Sequence, residues 1–132
     1  MTNITKRFLL VDDDAMNNLL NKTKLKKTFE GARIDDFTIP EDGLEFIKSE
    51  PNHHPPDEKT TLFLDINMPT LTGWEFLEAF ELFDASIKEQ YNIYILSSSV
   101  NFMDIDLAKE NPLVLDFIEK PLSNAALLKI FG

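Results

Sequence analysis

Apolar residues fall in four short unbroken runs, at 8–11, 62–64, 93–96 and 113–115. Runs of this length without polar interruption suit strands buried on both faces, as in a parallel sheet covered by helices. The stretches between them change period. Met16, Leu19, Leu20 and Thr23 recur at i, i+3, i+4, i+7, and Phe76, Leu77, Phe80 and Phe83 form a second stripe; each pattern predicts an amphipathic helix with that stripe against a sheet. Ile34, Phe37 and Ile39 predict an edge strand over 33–39, closed by the Pro40-Glu41-Asp42-Gly43 break. A short helix around Leu44 and Ile47 follows, then a loop over 51–60 with three prolines and two histidines. Two further helices are expected, over 101–110 with Phe102 and Ile105 inward, and over 122–131 with Leu127, Leu128 and Phe131 on one side.

The order βαβαβαβαβα, with no internal repeat, predicts an α/β fold with an open, doubly wound parallel sheet. A barrel of eight strands needs more chain than 132 residues provide, and this length suits one domain with its own core. Right-handed crossovers bring the C-terminal ends of all strands to one edge, where such sheets place their ligands.

Composition narrows the chemistry. A formal charge of -10 opposes direct nucleic-acid binding and favours cations or basic protein surfaces as partners. The absence of cysteine removes disulfides, thiolate metal sites and thiol nucleophiles. The start of the chain is polar and its first apolar run far too short to cross a bilayer, so a cytoplasmic protein without membrane insertion is expected.

The predicted strand ends carry Asp12, Asp13 and Asp14, then Asp65, Ser97 and Lys120. Carboxylates converging on one crevice repel unless a cation offsets them, and a donor set of hard oxygens suits Mg²⁺. Lys120 can meet a phosphoryl oxygen as a point charge, the Ser97 hydroxyl can donate to another, and Asp65 is left as nucleophile. A carboxylate so placed can form an acyl phosphate by in-line displacement. Asp14, directly before Ala15 and Met16, reads instead as a helix cap.

These residues sit in segments that resemble response-regulator receiver domains of two-component signalling. Phe-Leu-Leu-Val-Asp-Asp-Asp at 8–14 is similar to the opening acidic motif, and Leu-Phe-Leu-Asp-Ile-Asn-Met-Pro at 62–69, followed by Gly73, to the phosphoacceptor segment. Ile-Leu-Ser-Ser at 95–98 resembles the hydroxyl-bearing segment after strand four, and Phe-Ile-Glu-Lys-Pro at 117–121 the Lys-Pro segment. The resemblance spans nearly the whole chain and implies a stand-alone, chemotaxis-type receiver, with a flavodoxin-like five-stranded sheet of order 2-1-3-4-5. It implies Asp65 as phosphoacceptor, Asp12, Asp13, Asp65 and the Asn67 main-chain carbonyl as Mg²⁺ ligands, and Ser97 with Phe117 as a switch pair. Ser97 stands where threonine is commoner, which keeps the hydroxyl and removes a methyl. A sensor histidine kinase or phosphotransfer protein would supply the phosphoryl group. The chain closes soon after its last helix, so 1–132 is expected to be a single receiver without an output domain, acting through a downstream protein target. The first helix is the expected docking surface for the donor, and 101–117 for the target.

Two other classes remain in view. A metal-dependent phosphohydrolase with an aspartate nucleophile would carry a second aspartate two residues on, where this chain has Asn67. An interaction module without phosphorylation would not need the acidic pair, Asp65 and Lys120 together. His53 and His54, adjacent in a proline-rich loop, are expected to be solvated. Trp74 could flank the site or pack.

Overall fold

Five strands pair in parallel in the order β2-β1-β3-β4-β5: β1 (Arg7–Val11), β2 (Arg33–Phe37), β3 (Thr60–Leu64), β4 (Tyr91–Ser97) and β5 (Val114–Glu119). The computed structural model describes residues 6–49, 59–98 and 101–131, so His53 and His54 lie outside the described residues. The sheet order is the one expected.

Alternate residues of the central strands feed two cores. Leu9, Val11, Leu62 and Leu64 point to one face, and Phe8, Leu10 and Phe63 to the other. Both faces are covered, which explains runs without polar interruption. The Leu9 face is roofed by α2 (Pro40–Ser49) through Ile47 and by α3 (Gly73–Glu81) through Phe76, Leu77 and Phe80. Burying each of these phenylalanines contributes about 1.5–3 kcal/mol relative to exposure. The stripe expected on this helix is therefore core, with Phe83 packed against it. The Phe8 face is covered by α1 (Ala15–Thr28) through Leu25 and by α6 (Asn124–Phe131) through Leu127. Between α3 and β4 lies α4 (Ala85–Lys88), a single turn the periodicity did not reveal, and α5 (Phe102–Glu110) packs beside β5 through Ala108.

The faces of three helices differ from expectation. On α1, Met16, Leu19 and Leu20 are 59%, 56% and 59% exposed, and the buried residues are Asn18, Asn21 and Leu25 on the opposite side. The cause is polar: the Asn18 Nδ2 donates to the carbonyls of Asp12 (3.0 Å) and Phe37 (3.3 Å), which turns that side of the helix to the sheet. On α5, Phe102 is 82% exposed rather than inward, because Ala108 and Ile105 define the packed side. On α6, Leu128 is exposed while Leu127 enters the core. The edge strand β2 stops at Phe37, and Ile39 is exposed at the approach to α2. At the other edge β5 extends beyond the 113–115 run to Glu119, and Leu115 faces solvent.

Candidate functional site

The parallel ladder continues one residue beyond three strands, and each added residue is a candidate site residue. The Asp12 N–H donates to the Phe37 carbonyl (3.1 Å), that of Asp65 to Val11 (2.9 Å) and that of Lys120 to Ser97 (2.8 Å). Backbone bonds to neighbouring strands thus hold Asp12, Asp65 and Lys120 at one edge, where the side chains are aimed by the sheet rather than by mobile loops.

The side chains converge. Lys120 Nζ lies 2.6 Å from Asp12 Oδ2 and 3.5 Å from Asp65 Oδ1. Carboxylate oxygens of Asp12, Asp13 and Asp65 all fall within 4.8 Å of one another, with Asp12 and Asp65 buried and Asp13 exposed at the mouth. Asp12 Oδ1 also accepts from the Asp14 N–H (2.9 Å), and Asp65 Oδ1 from the Ile66 N–H (2.9 Å). Among the described residues, one ammonium stands in this cluster of three carboxylates, paired with two of them. Burial pushes the Asp65 carboxyl up from 3.8 to about 6, helped by the Asp12 and Asp13 charges and opposed by Lys120 and the Ile66 N–H. A divalent cation fits this shortfall of positive charge, and three carboxylates with no nitrogen or sulfur donor form the hard-oxygen set that Mg²⁺ prefers.

The neighbouring residues lie as follows. Asp14 caps α1, its Oδ1 accepting from the Met16 and Asn17 N–H groups, so it is a cap as the sequence indicated. Ser97 is fully buried at the end of β4, beside β5, where it pairs with Glu119 in register. Asn67 is exposed, two residues beyond Asp65. Phe117 is half-buried on β5 against the Leu9-side core, away from the carboxylates in sequence but one strand from Ser97. The Lys120-Pro121 peptide is cis.

Three supporting residues were not legible as such. Asn18, buried on α1, ties the Asp12 carbonyl to the end of β2; the signal was an asparagine three and seven residues from Asn21 and Leu25, masked by the stronger apolar stripe. Gly73 donates its N–H to the Ile66 carbonyl (2.8 Å), and a Cβ there would sit 2.5 Å from the Asp65 carbonyl oxygen. Only glycine allows α3 to start so close to the phosphoacceptor candidate. Thr72 closes that start with a capping box, its Oγ1 accepting from the Glu75 N–H and its own N–H donating to Glu75 Oε1. Trp74, left open by the sequence, is half-buried and donates from Nε1 to Asp104 Oδ1 (3.1 Å) on α5.

No protein-family model matches the chain, and no curated protein matches it by sequence. Solved structures do. A response regulator receiver protein from Dyadobacter fermentans superposes with a TM-score of 0.86 at 23% identity, covering 96% of this chain and 95% of that one. A two-component response regulator from Cytophaga hutchinsonii gives 0.84 at 27% identity over 98% and 96%, and the Vibrio cholerae chemotaxis protein CheY4 gives 0.75 at 20% over 96% of each. The chain has the flavodoxin-like fold of response-regulator receiver domains over nearly its whole length, and the general role these similarities support is that of a receiver.

Proposed function

We propose that this receiver-fold domain accepts a phosphoryl group on Asp65 from a phosphohistidine of a sensor kinase or phosphotransfer protein. The observation that carries the reading is the convergence of Lys120 on Asp12 and Asp65 beside Asp13 at the C-terminal sheet edge. In the transfer a bond forms between an Asp65 carboxylate oxygen and phosphorus as the phosphorus–nitrogen bond of the donor breaks, and the imidazole leaves. Among the described residues the Ile66 N–H and Lys120 both engage Oδ1, which leaves Oδ2 the freer oxygen for the attack. Lys120, already within reach, would turn from Asp12 to an oxygen of the arriving phosphoryl group. The Ser97 hydroxyl would donate to another, and Phe117 would follow as the switch residue.

Asp12, Asp13, Asp65 and the Asn67 carbonyl would hold Mg²⁺, which when bound neutralises charge on the transferring group. The carboxylate cluster that needs a cation when empty of substrate is then the one that shares it with phosphate.

Two exposed apolar surfaces suit the partners this reading requires. Met16, Leu19 and Leu20 project from α1, which begins just beyond Asp12 and Asp13, and would receive the phosphodonor. Phe102 and Met103 on α5 with Leu115 on β5 would form the surface that a target reads. Output through a partner, rather than turnover of a substrate, is the function proposed. Among the described residues no helix is long and apolar enough to cross a membrane.

Incubation with acetyl phosphate and Mg²⁺, followed by intact-mass measurement, tests it. One phosphoryl adduct that is lost in Asp65→Asn and on chelation is the expected result. An adduct retained in Asp65→Asn, or none on the wild type, removes the proposal, and steady turnover of phosphate monoesters would instead favour a hydrolase.

A further inference from the structure

A second concave surface lies outside the carboxylate site, between α3 and α5, and encloses about 600 Å³. Its floor is apolar: Leu77 from α3, Leu107 from α5 and the indole of Trp74. Its rim is acidic, with Glu78 and Glu81 on one helix and Glu110 on the other, and among the described residues no lysine, arginine or histidine lines it. Among the described residues, Glu78 and Glu110 form no ion pair, and Glu81 has only an exposed one with Lys88 at 3.4 Å. The Trp74–Asp104 hydrogen bond spans the two helices and fixes their spacing at this groove.

We propose that this groove docks a basic, amphipathic segment of a partner protein, its apolar side chains on the Leu77–Leu107 floor and its lysines or arginines against the glutamates. Size and composition both bear on this. The volume lies within the range of clefts that enclose a ligand, and an apolar floor between two helices is the setting in which an amphipathic segment lays down its apolar face. Charge selects the occupant. Carboxylates on both walls of an apolar groove repel acidic segments and attract basic ones, and the formal charge of -10 adds long-range attraction for a cationic partner. The same charge opposes a second copy of this chain on the groove. Nucleic acid and anionic lipid are opposed likewise. The inference is separate from the phosphoryl chemistry, because Asp12, Asp13, Asp65, Ser97 and Lys120 are not among the groove's lining residues, and it stands or falls without it.

Trp74 is the only tryptophan, which gives the groove its own reporter. The probe is a short peptide with leucine and lysine at helical spacing and no aromatic residue, titrated into the full chain while Trp74 emission and backbone amide shifts are followed. Saturable change in Trp74 emission is expected, with the shifted amides on α3 and α5. The double variant Glu78→Gln/Glu110→Gln, surface changes that leave the core untouched, should weaken binding by about tenfold, since it removes a carboxylate charge from each wall of the groove. Leu107→Ser should weaken it similarly, and Leu128→Ser, exposed on α6, should not. Equal binding of a peptide with serine in place of leucine would reduce the effect to bulk charge attraction and overturn the proposal. So would amide shifts confined to α1, or wild-type binding by the double variant. Self-association of the free chain that Leu107→Ser abolishes would assign the groove to a second copy and overturn it as well.

Discussion

Lys120 and Asp12 stand 108 residues apart in sequence and 2.6 Å apart in space, with side chains only 11% and 6% exposed. The ammonium is the only protein cation set among the carboxylates of Asp12 and Asp65 in the described residues, so it has two tasks. It offsets their repulsion in the resting fold, and on the proposed reading it meets the phosphoryl group when one arrives.

Lys120→Ala should therefore destabilise more than a surface ion pair would allow. Removing one partner of a buried pair leaves an uncompensated charge, which costs about 3–5 kcal/mol, and here two carboxylates are left facing each other. Urea denaturation of the metal-free protein at pH 7 should show a loss of that order. Added Mg²⁺ should recover part of it, since a divalent ion supplies the missing charge. A loss below about 1 kcal/mol would mean that the pair behaves as an exposed one.

The raised Asp65 carboxyl gives a pH signature. Between pH 3.8 and about 6 the folded chain holds a proton that the unfolded chain has released. The contribution of Asp65 to stability therefore grows as pH falls through 6 and is complete below 3.8; at neutral pH its ionised form works against the fold. A shift of this size corresponds to about 2–3 kcal/mol at pH 7. Asp65→Asn should be more stable than the metal-free wild type by up to about that amount at pH 7, and the gap should narrow as pH falls through about 6 and close below 3.8. Equal stability of the two proteins at pH 7 would contradict the burial and the Asp12 repulsion that raise the group. Saturating Mg²⁺ should narrow the gap at pH 7 by stabilising the wild type alone.

Gly73 permits a sharper geometric test. A methyl group there would lie 2.5 Å from the Asp65 carbonyl oxygen and 2.9 Å from the Ile66 Cα, and both are backbone atoms that no rotamer change can move. The helix start is in turn fixed by the Thr72 capping box, so α3 and the end of β3 must separate. Overpacking of this kind costs about 1–3 kcal/mol. Gly73→Ala should show that loss in thermal unfolding, together with slower acyl phosphate formation, because the displaced segment carries Asp65. Gly31→Ala, where nothing lies within 4 Å but φ is +79°, should lose stability through backbone strain and keep the phosphorylation rate. Loss of rate in both variants would reduce the effect to stability alone.

The sheet and the pocket were legible because both follow from strand ends. Unbroken apolar runs located β1, β3 and β4, and the residue after each central run was the one that mattered: Asp12, then Asp65, with Lys120 found at the end of the fifth strand. Periodicity was a poorer guide to which side of a helix is buried. It succeeded on α3, whose Phe76 and Phe80 have no polar rival for the core. It failed on α1, where Asn18 wins the sheet-facing position by donating to the carbonyls of Asp12 and Phe37 at the strand ends. A buried hydrogen-bonded amide outweighs the placement of three apolar side chains that can find a use elsewhere. The switch role of Ser97 and Phe117 rests on motif resemblance, for neither burial nor strand position distinguishes it from plain packing.

That displaced stripe leads to the last expectation. Met16, Leu19 and Leu20 are exposed on a helix that starts three residues after Asp12, and they contribute little to the core. Replacing Leu19 and Leu20 by serine should leave thermal stability within about 0.5 kcal/mol, as for surface substitutions. Phosphorylation by acetyl phosphate, a donor too small to touch α1, should also stay unchanged. Transfer from a phosphorylated histidine phosphotransfer protein should fall by about tenfold, because two apolar anchors at a docking surface together are worth more than 1 kcal/mol. The comparison of the two donors separates docking from chemistry: a drop with both would place the leucines in the fold or the site, and a drop with neither would move the donor's landing surface off α1.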